Sequence, residues 1–79
     1  MKSLLKTLVE AIVKEKDKLK IIEQKEDNNI KYIIKVAKND FKTIIGREGK
    51  TIKAIRNLVN IAALNKGIKK KIPVEIIDE

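Results

Sequence analysis

Between Ile44 and Ile52 the chain reads Ile-Ile-Gly-Arg-Glu-Gly-Lys-Thr-Ile, and no other stretch constrains the fold as much. A paired aliphatic closes one apolar segment. Two glycines then bracket two charged residues, and a basic segment with helical periodicity follows. Glycine tolerates positive φ and has no Cβ to hold a ligand off. A loop bounded this way, opening into a helix, points backbone N–H groups and the positive helix end outward, which suits a phosphate. The two flanks are therefore read as separate elements meeting at a tight bend.

Around this bend the hydrophobic periods alternate between 3.6 and 2. Leu4, Leu5, Leu8, Val9, Ile12 and Val13 predict an amphipathic helix from about Ser3 to Lys16, with Ser3 as N-cap and a Glu10–Lys14 pair on its wet face. Leu19 to Gln24 reads as a strand, Glu26-Asp27-Asn28-Asn29 as a turn, and Ile30 to Ala37 as a second strand with Ile30, Tyr32, Ile34 and Val36 on one face. Asn39 and Asp40 are candidate N-caps for a short helix through Phe41, Ile44 and Ile45 that Gly46 stops. A long helix runs from about Lys50 to Asn65, its broad apolar face made by Ile52, Ile55, Leu58, Val59, Ala62 and Ala63. After a basic loop, Ile72 to Ile77 forms the last strand, placed at a sheet edge because Pro73 lacks an N–H. The order is α-β-β-α-α-β. Its helical crossover favours a parallel, right-handed connection. The expectation is an α+β fold: a mixed three-stranded sheet, Ile30–Ala37 in the centre, with three helices on one face.

At 79 residues the chain is expected to form one domain, 1–79. A domain this small buries only ~60% of its unfolded surface, so a shallow surface site is favoured over a deep catalytic cavity. Only Tyr32 and Phe41 are aromatic, so the core is aliphatic. Nineteen Lys and Arg stand against 11 acids, a net charge of +8 that draws in polyanions unless it serves only to solvate the surface. There is no Cys and no His, which removes disulfides, thiolate chemistry and the commonest general base and metal ligand. No metal site, cofactor or catalytic set is expected. No apolar run approaches a membrane span and no signal-peptide pattern opens the chain, so a cytoplasmic setting is expected.

Four readings compete for the glycine stretch. Gly49-Lys50-Thr51 resembles the end of a Walker A loop, but that loop needs a glycine where Ile44 stands. A helix-turn-helix reading for DNA uses the glycine turn, yet its first helix would be barely two turns long and lie between strands of one sheet. A plain structural turn leaves the isoleucines and the cations Arg47, Lys50 and Lys53 unexplained. Residues 44–55 resemble the core of the K-homology (KH) family: a paired aliphatic, Gly-x-x-Gly, then aliphatics three and six residues after the second glycine. The αββααβ order matches the type II arrangement. The likeness extends over the whole chain to the small stand-alone bacterial KH proteins of the KhpA type, through Ala54–Val59 and Val74–Asp78.

That resemblance implies sequence-tolerant, non-enzymatic binding of single-stranded RNA, with the role of an RNA chaperone or post-transcriptional regulator. In KH domains the loop clamps about four nucleotides of backbone. Carried onto this chain, Gly46 and Gly49 admit the phosphates, Arg47, Lys50 and Lys53 supply cations, and Thr51 offers a hydroxyl. Glu48 is an acid in an anion clamp and points to water. Ile45 and Ile52 floor a groove for bases, with Ile44 in the core. Lys69, Lys70 and Lys71 add accessory RNA contacts. The resemblance also implies a homodimer, or pairing with a larger KH-containing protein of the KhpB type. Ile61 and Leu64, off the main apolar face, are the candidate partner surface. The alternative from another class is a structural protein–protein adaptor.

Overall fold

The computed structural model describes residues 1–78. Its elements are α1 (Lys2–Glu10), β1 (Lys20–Glu26), β2 (Asn29–Val36), α2 (Lys38–Ile45), α3 (Lys50–Asn65) and β3 (Val74–Asp78), with 3-10 turns at Lys16–Lys18 and Arg47–Gly49. This is the type II KH order. β1 and β2 pair antiparallel across a two-residue turn, Asp27-Asn28, in which Asp27 takes φ 55°. Such a turn matches the twist of the flanking strands. β3 lies parallel to β2, from Tyr32 opposite Val74 to Val36 opposite Asp78, so β2 is the central strand.

Period-2 alternation sorts the sheet into two faces. Tyr32, Ile34, Val36 and Val74 are all buried and join Leu5 and Val9 of α1, Ile44 of α2 and Ile52, Ile55, Val59 and Ala63 of α3 in one core. Ile22 and Ile77, on the opposite face, are each 41% exposed. The buried Tyr32 hydroxyl donates to Glu23 Oε2 at 2.5 Å. Burial, and then this bond, push the phenol above its usual range; the same bond holds the Glu23 carboxyl below its own.

Several boundaries differ from the periodicity. α1 stops at Glu10 instead of Lys16, because the amides of Lys14 and Glu15 leave the helix to donate to Asp40 Oδ1 and Oδ2, both at 3.0 Å. Lys14 therefore does not pair with Glu10, which meets Lys6 at 3.8 Å instead. Met1, not Ser3, occupies the N-cap position of α1. Ala37, not Asn39 or Asp40, does so for α2, which places Asp40 inside the first turn with its carboxylate turned into the protein. β3 starts at Val74 rather than Ile72, since the Ile72 N–H goes to Asn60 Oδ1 at 2.8 Å and Pro73 has none to give. On α3 the buried ridge is Ile52, Ile55, Val59 and Ala63; Leu58 falls off it and is 43% exposed.

Candidate nucleic-acid interface

The bend is built by three positive-φ residues, Gly46, Glu48 and Gly49, with Arg47 between the first two. Gly46 ends α2 at φ 78°, ψ 173°; Glu48 follows at φ 57°, ψ 24°, and Gly49 at φ 73°, ψ 15°. The two glycines have different reasons to be glycine. A Cβ on Gly46 would lie 2.6 Å from Thr51 Cβ and 2.8 Å from Thr51 N, and closer still to Thr51 Oγ1. That residue is glycine because the chain packs on itself there. A Cβ on Gly49 would meet only Lys53 Cε, at 4.0 Å, so Gly49 faces open space. It is the glycine that leaves room for a ligand. Glu48 in the left-handed region is a departure from usual preference that residue types alone do not announce.

The bend is closed by Gly49 N–H donating to Gly46 O at 3.2 Å. α3 starts directly after it, and no side chain caps its first turn. Lys50 N–H is taken by Arg47 O, and the positive end of the 16-residue helix has no side chain set against it. Arg47, Lys50 and Lys53 are exposed around this end, and none forms an ion pair among the described residues. Thr51 is half-buried against Gly46. Ile44 is fully buried, as expected. Ile45 stays partly exposed at the end of α2, whereas Ile52 is 4% exposed and belongs to the core. Ile52 supports the bend from beneath and offers little surface for a base to lie on.

A groove of about 850 Å³ continues from the loop between α3 and the start of β3. Lys53, Arg56, Asn57 and Asn60 form one wall, and Lys69–Lys71 with Val74 the other. The structure thus brings Lys53 and the three loop lysines together, while Ile45 to Ile52 stand outside this lining. Arg56 and Asn60 build the groove. Arg56 Nε donates to Val74 O at 3.2 Å, and Asn60 Nδ2 donates to Arg56 O at 2.8 Å while Asn60 Oδ1 receives the Ile72 N–H. Neither lies on the apolar face that the periodicity assigns to this helix, and neither takes a role in the reading from sequence. The available signal was their place three and seven residues on from Lys53, on the same helical stripe. The backbone of β3 sets the far edge. Its parallel pairing turns alternate residues toward β2, and Val74 O, bonded to Arg56, shows that Val74 and Ile76 are the residues that turn outward.

Comparison with known proteins fits this geometry. The family model described as KhpA/KhpB, KH domain, matches residues 2–76. The chain belongs to the KhpA/KhpB KH-domain family. It is similar to the RNA-binding protein KhpA of Chlamydia trachomatis, 38% identical over 79 residues that cover all of this chain and 99% of the relative. The KhpA of Caldanaerobacter subterraneus is 39% identical over 77 residues, covering 98% of this chain and all of the relative. The KhpA of Listeria monocytogenes is 33% identical over 78 residues, covering 99% and 100%. No solved structure matches the chain. The KhpA/KhpB family is not a family of enzymes. Among the described residues no helix is long and apolar enough to cross a membrane, and no group of three or more acids is placed to hold a metal.

Proposed function

We propose that this chain, acting as a single KH domain in the cytoplasm, binds single-stranded RNA with little sequence preference, as an RNA chaperone or post-transcriptional regulator. The observation that carries the reading is the open, uncapped start of α3 beside Gly49, ringed by unpaired cations and continuous with the basic groove. The loop holds the sugar–phosphate backbone through amides, Arg47, Lys50 and Lys53. The bases pass Ile45 at the end of α2 and turn into the groove along the outer edge of β3, where the outward N–H and C=O of Ile76 meet a base edge. Lys69–Lys71 hold the strand from the other side. Relatives named RNA-binding protein KhpA, matched end to end, support the same reading.

The exposed stripe Leu58, Ile61 and Leu64 on α3 supplies a partner surface, for a second copy or for a KhpB-type protein.

The test is a salt titration of RNA affinity. Three neutralised phosphates give a log–log slope of about −2, at roughly −0.7 per contact on a single strand. Gly49→Asp sets a carboxylate in the open space where the phosphate sits and is expected to abolish binding with the fold retained. Gly46→Asp is a poor probe, since its side chain would collide with Thr51. A slope near zero, or full affinity in folded Gly49→Asp, would reject the clamp.

A further inference from the structure

A second depression lies across the Lys69–Lys71 loop from the groove. β2 runs down to Asn29, but β3 begins only at Val74, opposite Tyr32. Asn29, Ile30 and Lys31 therefore have no strand beside them on that edge. The register gives the backbone directions. Tyr32 N–H donates to Pro73 O at 3.0 Å, toward β3, so the amide and carbonyl of Ile30, two residues earlier, point to the same side. Had the strand continued, Ile72 would have stood opposite Ile30 but faced away from β2 as Val74 does, its N–H going to Asn60. The nitrogen that would have met Ile30 C=O is that of Pro73, which carries no hydrogen. Among the described residues Ile30 N–H and C=O have no hydrogen-bond partner in the protein.

These two groups face a notch of about 350 Å³. Ile68, Ile72 and Pro73 make its apolar wall, Gln24, Asn28 and Asn29 an amide rim, and Glu26 and Lys31 add one charge of each sign. The volume lies at the lower end of the usual range for small-ligand sites, about 300–1,000 Å³. Lys70, Lys71, Ile72 and Pro73 line both the notch and the groove. A strand that leaves the groove over the loop meets the notch next.

We propose that this notch is a second nucleotide site, taking one base of the same RNA strand after it crosses Lys70 and Lys71. The inference rests on the RNA-binding reading above. The lysines hold the connecting phosphate, the Ile–Pro wall takes the face of the base, and the Ile30 pair bonds its edge. Every base carries a donor beside an acceptor on its Watson–Crick edge. One N–H with one C=O therefore orients a base without choosing among them, which suits a sequence-tolerant binder.

The test compares two RNAs by fluorescence anisotropy: one of about four nucleotides, the length a KH loop clamps, and one of roughly twice that. The variant is Gln24→Glu with Asn28→Asp, two isosteric changes at exposed positions that put negative charge on the notch rim. The longer RNA is expected to lose about five-fold or more in affinity while the short one is unaffected, since only the longer strand brings a phosphate to the new charges. In amide NMR the Ile30 resonance is expected to move with the longer RNA and stay still with the short one. Equal loss for both RNAs, no loss for the longer one, or an Ile30 amide indifferent to length each overturns the proposal and leaves the uncovered edge to a protein segment. Gly49→Asp separates the two readings. If it releases neither RNA the loop clamp falls, and the notch is judged on the rim variant and Ile30 alone.

Discussion

At the scale of single residues, the two loop glycines have unlike physical roles. Gly46→Ala drives a methyl into Thr51, and because part of the collision is with backbone, a rotamer change cannot relieve it. Gly49→Ala meets only Lys53 Cε at van der Waals distance and carries the left-handed penalty alone, roughly 1–2 kcal/mol. Thermal unfolding is therefore expected to rank wild type above Gly49→Ala and Gly49→Ala above Gly46→Ala. The reverse order would mean the loop is held open some other way. Glu48 offers a gain. It sits at φ 57°, where Asn is better tolerated, and it is the one acid between the two glycines. Glu48→Asn is expected to keep or raise the melting temperature and to tighten RNA binding a few-fold. Unchanged affinity would place the Glu48 carboxylate out of range of any phosphate.

At the scale of elements, what sequence could and could not show follows from range. The Lys50–Asn65 helix, the β1–β2 hairpin and the Gly46 stop were legible because spacing within a dozen residues determines them. The early end of α1 was not, because its cause is Asp40, 26 residues from the Lys14 amide it binds. Leu58 was misplaced for a related reason: its residue type suits the core, but packing geometry selects the narrower ridge through Val59. The site divided the same way. The Gly-x-x-Gly cations could be read from the motif, whereas the groove that joins Lys53 to Lys69–Lys71 exists only once Arg56 and Asn60 tie α3 to β3. The Asp40 staple has a measurable signature. Two backbone N–H bonds from Lys14 and Glu15 hold its carboxyl below the ordinary range, and the Tyr32 hydroxyl does the same for Glu23. A carboxyl with a lowered folded-state pKa stabilises above its unfolded value, and that stability is lost as pH falls through the folded one. Urea midpoints are expected to drop as pH is taken from about 5 to 2, below the unfolded carboxylate value of about 3.9. Asp40→Asn keeps one acceptor but turns an NH₂ toward the other N–H. It should begin from a lower midpoint and lose less on acidification. An acid slope equal to wild type would show that Asp40 does not report on this transition.

At the scale of the whole molecule, charge and apolar surface pull in opposite directions. Leu58, Ile61 and Leu64 are 43%, 55% and 60% exposed along one stripe of α3, and Leu64 also lines the groove. Pairing two copies across this stripe would set two grooves side by side and join two weak sites into one strong one. It would also bring two net charges of +8 together. Salt screens that repulsion, so self-association is expected to strengthen with ionic strength while RNA binding weakens through counterion effects. RNA neutralises the same charge, so by reciprocity a dimer that binds RNA more tightly must itself be tightened by RNA. Sedimentation over a salt series, with and without a single-stranded RNA long enough to span both grooves, reads all three dependences. The expected pattern is more dimer at high salt without RNA and more dimer with RNA at low salt. Ile61→Asp puts a charge in the middle of the stripe and should give monomer throughout, while a short RNA that fills one groove keeps its affinity. A mass unchanged by Ile61→Asp would remove the stripe as the seam, and self-association that weakens with salt would show that ion pairs, not this apolar face, hold the copies together.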